Sequence, residues 1–477
     1  MSGVISPPAP PADLPRTAGE LRARGHQPRG VKAEIADNLV AALSAGANPW
    51  PGIVGFDRTV LPQLERALLA RHDIVLLGER GQGKTRLLRA LEGLLDEWTP
   101  VIEGAELGEH PFAPITPASR RRAAELGDDL PVTWRHRSQR YAEKLATPDT
   151  SVADLVGDVD PVKVTEGRSL GDPDTIHFGL VPRAHRGILA INELPDLAER
   201  IQVALLNVME ERDIQIRGYP LRLPLDVLLV ASANPEDYTN RGRIITPLKD
   251  RFGAEVRTHY PQTLRAEMAL VRQEAHLVAV VDDHLIEVLA RFVRMLRESP
   301  AIDHRSGVSA RFPIAGAEVL AAAALRRTAL TGEQPAVARP VDLQVVPAVL
   351  RGKLEFEAGE EGRESEHLTH LLRRSVADTA RARIGRLDLT ALAKAVADGH
   401  PVKTGERVPA GEVLAALPEL PVLHEVAKRL GVAASDPPGR IAAAVELALE
   451  WLYLHRRLDK NADDGTATYK PSTQKPS

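Results

Sequence analysis

Eight consecutive residues constrain this chain more than anything else in it: Gly78-Glu79-Arg80-Gly81-Gln82-Gly83-Lys84-Thr85. They fit the phosphate-binding signature G-x-x-x-x-G-K-[ST] in full. The run before them, Ile74-Val75-Leu76-Leu77, is continuously apolar, the pattern of a strand covered on both faces. After them Leu87, Leu88, Leu91, Leu94, Leu95 and Trp98 recur at helical spacing. Strand, glycine-rich loop and helix are the context the signature needs. Gly78, Gly81 and Gly83 let the backbone curl so that successive N–H groups, with that of Gln82, face phosphate oxygens. The Lys84 ammonium is placed to reach the β- and γ-phosphates and the Thr85 hydroxyl to bind magnesium. The helix aims its positive end at the same anion. The implied ligands are ATP and Mg2+.

Two more apolar runs end in polar residues. Gly187-Ile188-Leu189-Ala190-Ile191 leads into Asn192-Glu193. In a nucleotide hydrolase the first of such a pair assists the magnesium ion, often through water, and the second polarises the attacking water. Glu193 suits the second role. Asn192 stands where an aspartate is usual; it can accept from Thr85 or a metal-bound water but brings no negative charge. Val227-Leu228-Leu229-Val230 runs on to Asn234, a side chain able to position the lytic water at a neighbouring strand tip. Arg251, in Leu248-Lys249-Asp250-Arg251-Phe252, is a candidate arginine finger given to a neighbouring subunit's γ-phosphate. Apolar strands alternating with helical patterns predict a parallel α/β sheet.

Composition narrows the remaining choices. The chain has 477 residues and no cysteine, so disulfides, thiolate metal sites and cysteine nucleophiles are excluded. Its net charge of -4 gives no strong field of one sign, so a general nucleic-acid binder is not indicated. Arg120, Arg121, Arg122, Arg135, Arg137 and Arg140, with Trp134 and Tyr141, could contact a single strand, but a solvated face or subunit contact is the commoner use of such a run. His367 and His370 near Glu364 and Glu366 match no standard metal spacing. No apolar run is long enough to span a membrane, and the Pro/Ala-rich start lacks the pattern of a signal peptide. A cytoplasmic protein is expected.

At these motifs the chain resembles the magnesium chelatase I-subunit and MoxR-like branch of the AAA+ ATPases, over about residues 50–330. Ile53-Val54-Gly55 is similar to the segment before the nucleotide site. Phe178 to Leu189 is similar to the family's run into its second motif, with His185 where Asn is common. Asp154-Leu155-Val156-Gly157 resembles the start of its insertion, and Glu210 to Asp226 the hairpin before the next strand. The resemblance implies that Asn234 is sensor 1, Arg251 the finger, and Arg311 of Ser309-Ala310-Arg311 a nucleotide ligand from a helical lid. It also implies a ring, usually a hexamer, acting on a protein client that often carries a von Willebrand A domain.

The expected architecture is α/β: a P-loop AAA+ core with a parallel sheet flanked by helices, then an α-helical lid and a helix-rich C-terminal region. The expected divisions are a mobile arm over 1–30, the nucleotide-binding domain over 31–260, the lid over 261–340, the C-terminal region over 341–460 and a disordered tail over 461–477. Three functions remain open: a motor remodelling a client or assisting metal insertion into it, a sigma-factor-interacting transcriptional activator, and a nucleotide-gated scaffold with little turnover. No Gly-Ala-Phe-Thr-Gly-Ala-like loop supports the second. Asn192 favours the third; Glu193, Asn234 and Arg251 favour the first.

Overall fold

The computed structural model describes residues 7–159, 176–211, 214–216, 219–221, 223–234, 243–303, 307–398, 401–463 and 465–472. The chain divides into two compact units, Met1–His259 and Tyr260–Ser477.

The first unit is built on a five-stranded parallel sheet. Its strands are β1 (Ile74–Leu77), β2 (Tyr141–Leu145), β3 (Gly187–Asn192), β4 (Val227–Ala233) and β5 (Ala254–Arg257), in the spatial order β5-β1-β4-β3-β2. Alternate residues of the central strands feed two separate cores, because successive side chains of a strand point to opposite faces. Ile74, Leu76, Ile188, Ala190, Leu228 and Val230 pack with Leu87 and Leu88 of the helix Lys84–Ala90. Val75, Leu77, Leu189, Ile191, Leu229 and Ala231 pack with Ile201 and Leu205 of the helix Glu199–Glu211. Burial on both faces explains why these strands read as unbroken apolar runs.

Several local expectations change. The helix after the glycine-rich loop ends at Ala90 and tightens into a 3-10 turn over Leu91–Leu94; Trp98 instead opens the strand Trp98–Ile102, paired with Val132–His136. The arm is not free over its described length. Thr17 caps the helix Ala18–Ala23, Leu21 is buried, and the Trp134 indole N–H donates to Pro15 O (2.8 Å). The arginine-rich run is likewise not all surface: Arg140 is buried and donates both Nη atoms to the Glu34 carboxylate at 2.7 Å. The expected insertion opens as Gly157–Val159 paired with Ile176–Phe178, and its interior, 160–175, lies outside the described residues.

In the second unit one hydrophobic core runs from Met268 to Tyr469. It joins the helices Leu264–Glu274, Asp283–Arg297 and Arg311–Thr331 to Glu364–Ile384 and Pro438–Leu454. A boundary at residue 340 is therefore not supported by the packing. The expected disordered tail is corrected as well. Leu458–Asp463 and Thr466–Pro471 form an antiparallel pair completed by Val402–Gly405, and Tyr469 is buried; residues 473–477 lie outside the described residues. Polar composition had concealed the alternation Ala467, Tyr469 on the buried face.

Three buried histidines make stability acid-sensitive. Burial, helped by the Arg186 cation, pushes His110 and His185 down to about 3; burial pushes His284 down to about 4. The unfolded chain takes up these protons near pH 6.5, the folded chain only far lower. Stability is therefore full above about pH 6.5 and falls as the pH drops toward 4, by on the order of 3 kcal/mol per site. Urea unfolding at pH 7, 6 and 5 should show midpoints that fall stepwise. Coincident midpoints would refute it.

Candidate functional site

The C-terminal ends of the parallel strands converge on the loop that follows β1, the usual place for a ligand crevice in such sheets. Gly83 sits at φ 77°, and the helix Lys84–Ala90 starts immediately behind it. The opening of the loop is tight. A Cβ at Gly78 would collide with the Thr258 hydroxyl and the Gln82 carboxamide. Thr258, just past β5, donates to Gln82 Oε1 (2.9 Å), which also accepts from the Glu79 N–H (3.1 Å). Gln82 thereby braces the loop from within. Gly81, at φ 74°, completes the curl.

Lys84 is buried, and its ammonium donates to Gly78 O, Glu79 O (2.9 Å) and Asn234 Oδ1 (2.6 Å). Asn234 Nδ2 donates in turn to Glu193 Oε2 (2.6 Å). One carboxamide at the tip of β4 thus bridges the Lys84 ammonium and the Glu193 carboxylate. Glu193 stands at φ 55°, ψ 47°, in the left-handed region. That conformation costs a non-glycine residue of order 1–3 kcal/mol and is concentrated at functional sites. It ends β3 abruptly, with the Glu193 N–H held by Ser232 Oγ (3.2 Å).

Asn192, at the end of β3, accepts at Oδ1 from Thr85 Oγ1 (3.2 Å) and Ser232 Oγ (3.1 Å). Its Nδ2 donates to Glu143 Oε1 (2.8 Å) on β2. The oxygens of Thr85, Asn192 and Glu193 are hard donors of the kind magnesium takes, with the Glu143 carboxylate one hydrogen bond behind Asn192. The residues therefore fit the ion. No cluster of three or more His, Cys, Asp or Glu suited to an all-protein metal site occurs among the described residues.

The first unit thus brings together Lys84, Thr85, Asn192, Glu193 and Asn234. Arg251 closes the helix Thr246–Arg251, half exposed, and pairs with Glu210 of its own chain. Arg311 opens the helix Arg311–Thr331 of the second unit, its N–H donating to Ser309 Oγ (3.1 Å). His185 is structural: its Nδ1 accepts from the Asp226 N–H (3.1 Å). Sequence reading missed Ser232, Thr258 and Glu143. Ser232 had a signal, two residues before Asn234 on an identified strand. Glu143 had none, because β2 reads Tyr-Ala-Glu-Lys-Leu and no apolar run marks it.

A family model described as the sigma-54 interaction domain matches residues 167–251. Among curated relatives, a magnesium-chelatase subunit ChlI of Guillardia theta is 30% identical over 208 residues, 42% of this chain and 55% of that protein. A magnesium-chelatase 38 kDa subunit of Cereibacter sphaeroides is 30% identical over 216 residues, 43% of this chain and 56% of that one. The chain thus spans about half the length of the curated relatives it matches. Among solved structures, a chain of the complex between subunits BchI and BchD of magnesium chelatase aligns at 20% identity and TM-score 0.35, covering 69% of this chain and 95% of that one. No helix among the described residues is long and apolar enough to cross a membrane.

Proposed function

We propose, for a chain homologous to the magnesium-chelatase I subunits of the AAA+ ATPases, that it hydrolyses ATP and uses the turnover to remodel a protein client or to assist metal insertion into it. The observation that carries the reading is the bridge Lys84–Asn234–Glu193, with 2.6 Å on either side of one carboxamide. It sets the phosphate anchor and the water activator one residue apart. Lys84 and the loop N–H groups hold the phosphates. Thr85 and Asn192 hold magnesium, which supplies positive charge against the phosphate oxygens. Glu193 draws a proton from the attacking water, and Asn234 keeps that water in line. Arg251 of a neighbouring subunit and Arg311 meet the charge that develops on the γ-phosphate. Such a finger requires a neighbouring subunit, and a ring of six chains is the proposed arrangement. The proposed client is a cytoplasmic protein, with a von Willebrand A domain the form to look for first.

Complementation tests the shared site. Arg251→Ala and Glu193→Gln should each be nearly inactive alone. Mixed, they should regain turnover, because the second variant lends its intact arginine to sites of the first that keep Glu193. ATP turnover per chain should also rise with protein concentration. A mixture no faster than its parts would remove the trans role of Arg251.

The sigma-54 family match over residues 167–251 keeps a second reading in play, a transcriptional activator acting on a sigma factor. Capture of purified sigma-54 by the chain with a transition-state nucleotide analogue would favour it; no capture would leave the motor reading in place.

A further inference from the structure

Asn192 lacks the charge expected at its position, yet the site contains a carboxylate that sequence motifs do not include. In the parallel register of β2 and β3, Glu143 lies opposite Ala190 and Leu145 opposite Asn192. Glu143 and Asn192 therefore share a face as diagonal neighbours. The residue between them in the pattern, Ala190, is small and fully buried, which leaves the longer glutamate room to lean toward the strand ends. Its Oε1 accepts from Asn192 Nδ2 at 2.8 Å.

That contact has two consequences. A carboxylate can only accept, so it holds the nitrogen of the Asn192 carboxamide and turns Oδ1 toward the Thr85 hydroxyl. It also returns a negative charge one hydrogen bond behind the magnesium-binding oxygens. Groups that support metal ligands from behind orient them and raise their basicity. We propose that Glu143 is a positioning residue for Asn192 and the source of the negative charge at the magnesium site, the two together replacing an aspartate. The proposal rests on the Mg-ATP reading above.

Glu143 has other partners. Arg89 donates Nε (2.8 Å) and Nη2 (3.0 Å) to it, and the Tyr141 hydroxyl donates to Oε2 (3.3 Å). Burial and the Glu143 carboxylate hold the Tyr141 phenol above its usual range. A purely structural role, anchoring Arg89 at the end of the phosphate-binding helix, is the alternative to be separated.

The experiment measures binding of a non-hydrolysable ATP analogue to the full chain by calorimetry, with magnesium and with EDTA. The ratio of the two affinities is the metal coupling. Glu143→Gln keeps an acceptor for Asn192 but removes the charge; it should lower the coupling about tenfold and leave binding in EDTA no weaker. Glu143→Leu, which also frees the carboxamide, should lower it at least as far. Arg89→Gln, which removes the cation paired with Glu143, should not lower the coupling below that of the wild type. Asn192→Asp added to Glu143→Gln should restore it, whereas Asn192→Asp alone sets two carboxylates against each other and should weaken binding in EDTA. The proposal is overturned if Glu143→Gln retains wild-type coupling, if Glu143→Gln and Arg89→Gln weaken both conditions alike, or if the double variant stays as low as Glu143→Gln. A wild-type chain that binds the analogue in neither condition would bring down the Mg-ATP reading and this one with it. Normal wild-type coupling shared by Glu143→Gln would bring down this one alone.

Discussion

Glu193→Gln should reduce ATP turnover by about 10²- to 10⁴-fold, the usual contribution of a positioned general base, while binding of ATP stays close to that of the wild type. The two effects separate because of what the substitution keeps. Glutamine retains the length of the side chain and an oxygen that can accept from Asn234 Nδ2, the 2.6 Å contact of the parent residue. The strained left-handed backbone at this position, φ 55°, is not altered in its demands. Only the capacity to take a proton from water is lost. Steady-state phosphate release together with equilibrium binding of a fluorescent ATP analogue would measure both halves. Turnover within a factor of three of wild type would remove Glu193 from the mechanism. A negligible wild-type rate beside tight ATP binding would instead favour the nucleotide-gated scaffold, with Asn192 as its signature.

Lys84→Ala should act at the other end of the same bridge. Its ammonium is buried and held by two loop carbonyls and Asn234 Oδ1. A charge-assisted contact to phosphate contributes on the order of 3 kcal/mol, so nucleotide affinity should fall about a hundredfold and turnover should become undetectable at ordinary ATP levels. The fold should survive, since the strands that carry the site are secured by the cores on either face of the sheet. A binding titration paired with a thermal melt checks this. Undiminished affinity would mean that the loop holds phosphate by its N–H groups alone, and that Lys84 serves only to tie β4 to the loop.

What was legible in the sequence has a common cause. The phosphate loop depends on the backbone freedom of adjacent glycines and on two neighbouring elements, all within one short stretch. Asn192–Glu193 and Asn234 could be read because strands buried on both faces are continuously apolar, and their ends are marked by the first polar residues. Strands with one polar face carry no such mark: neither Tyr141–Leu145 nor Thr466–Pro471 contains an apolar run, and Glu143 lies on the first of them.

The sequence by itself thus determined that this chain carries a glycine-rich loop of the phosphate-binding pattern on a parallel α/β sheet, with Lys84, Thr85, Asn192, Glu193 and Asn234 at the strand ends beside it, because each of those signals is local. Only the tertiary structure decided that β2 lies beside β3 in a register that puts Glu143 behind Asn192, and that the C-terminal half closes around one core from Met268 to Tyr469. Strand order and register join residues far apart in the chain. They are selected by the packing of whole faces against one another, which no short stretch of sequence records.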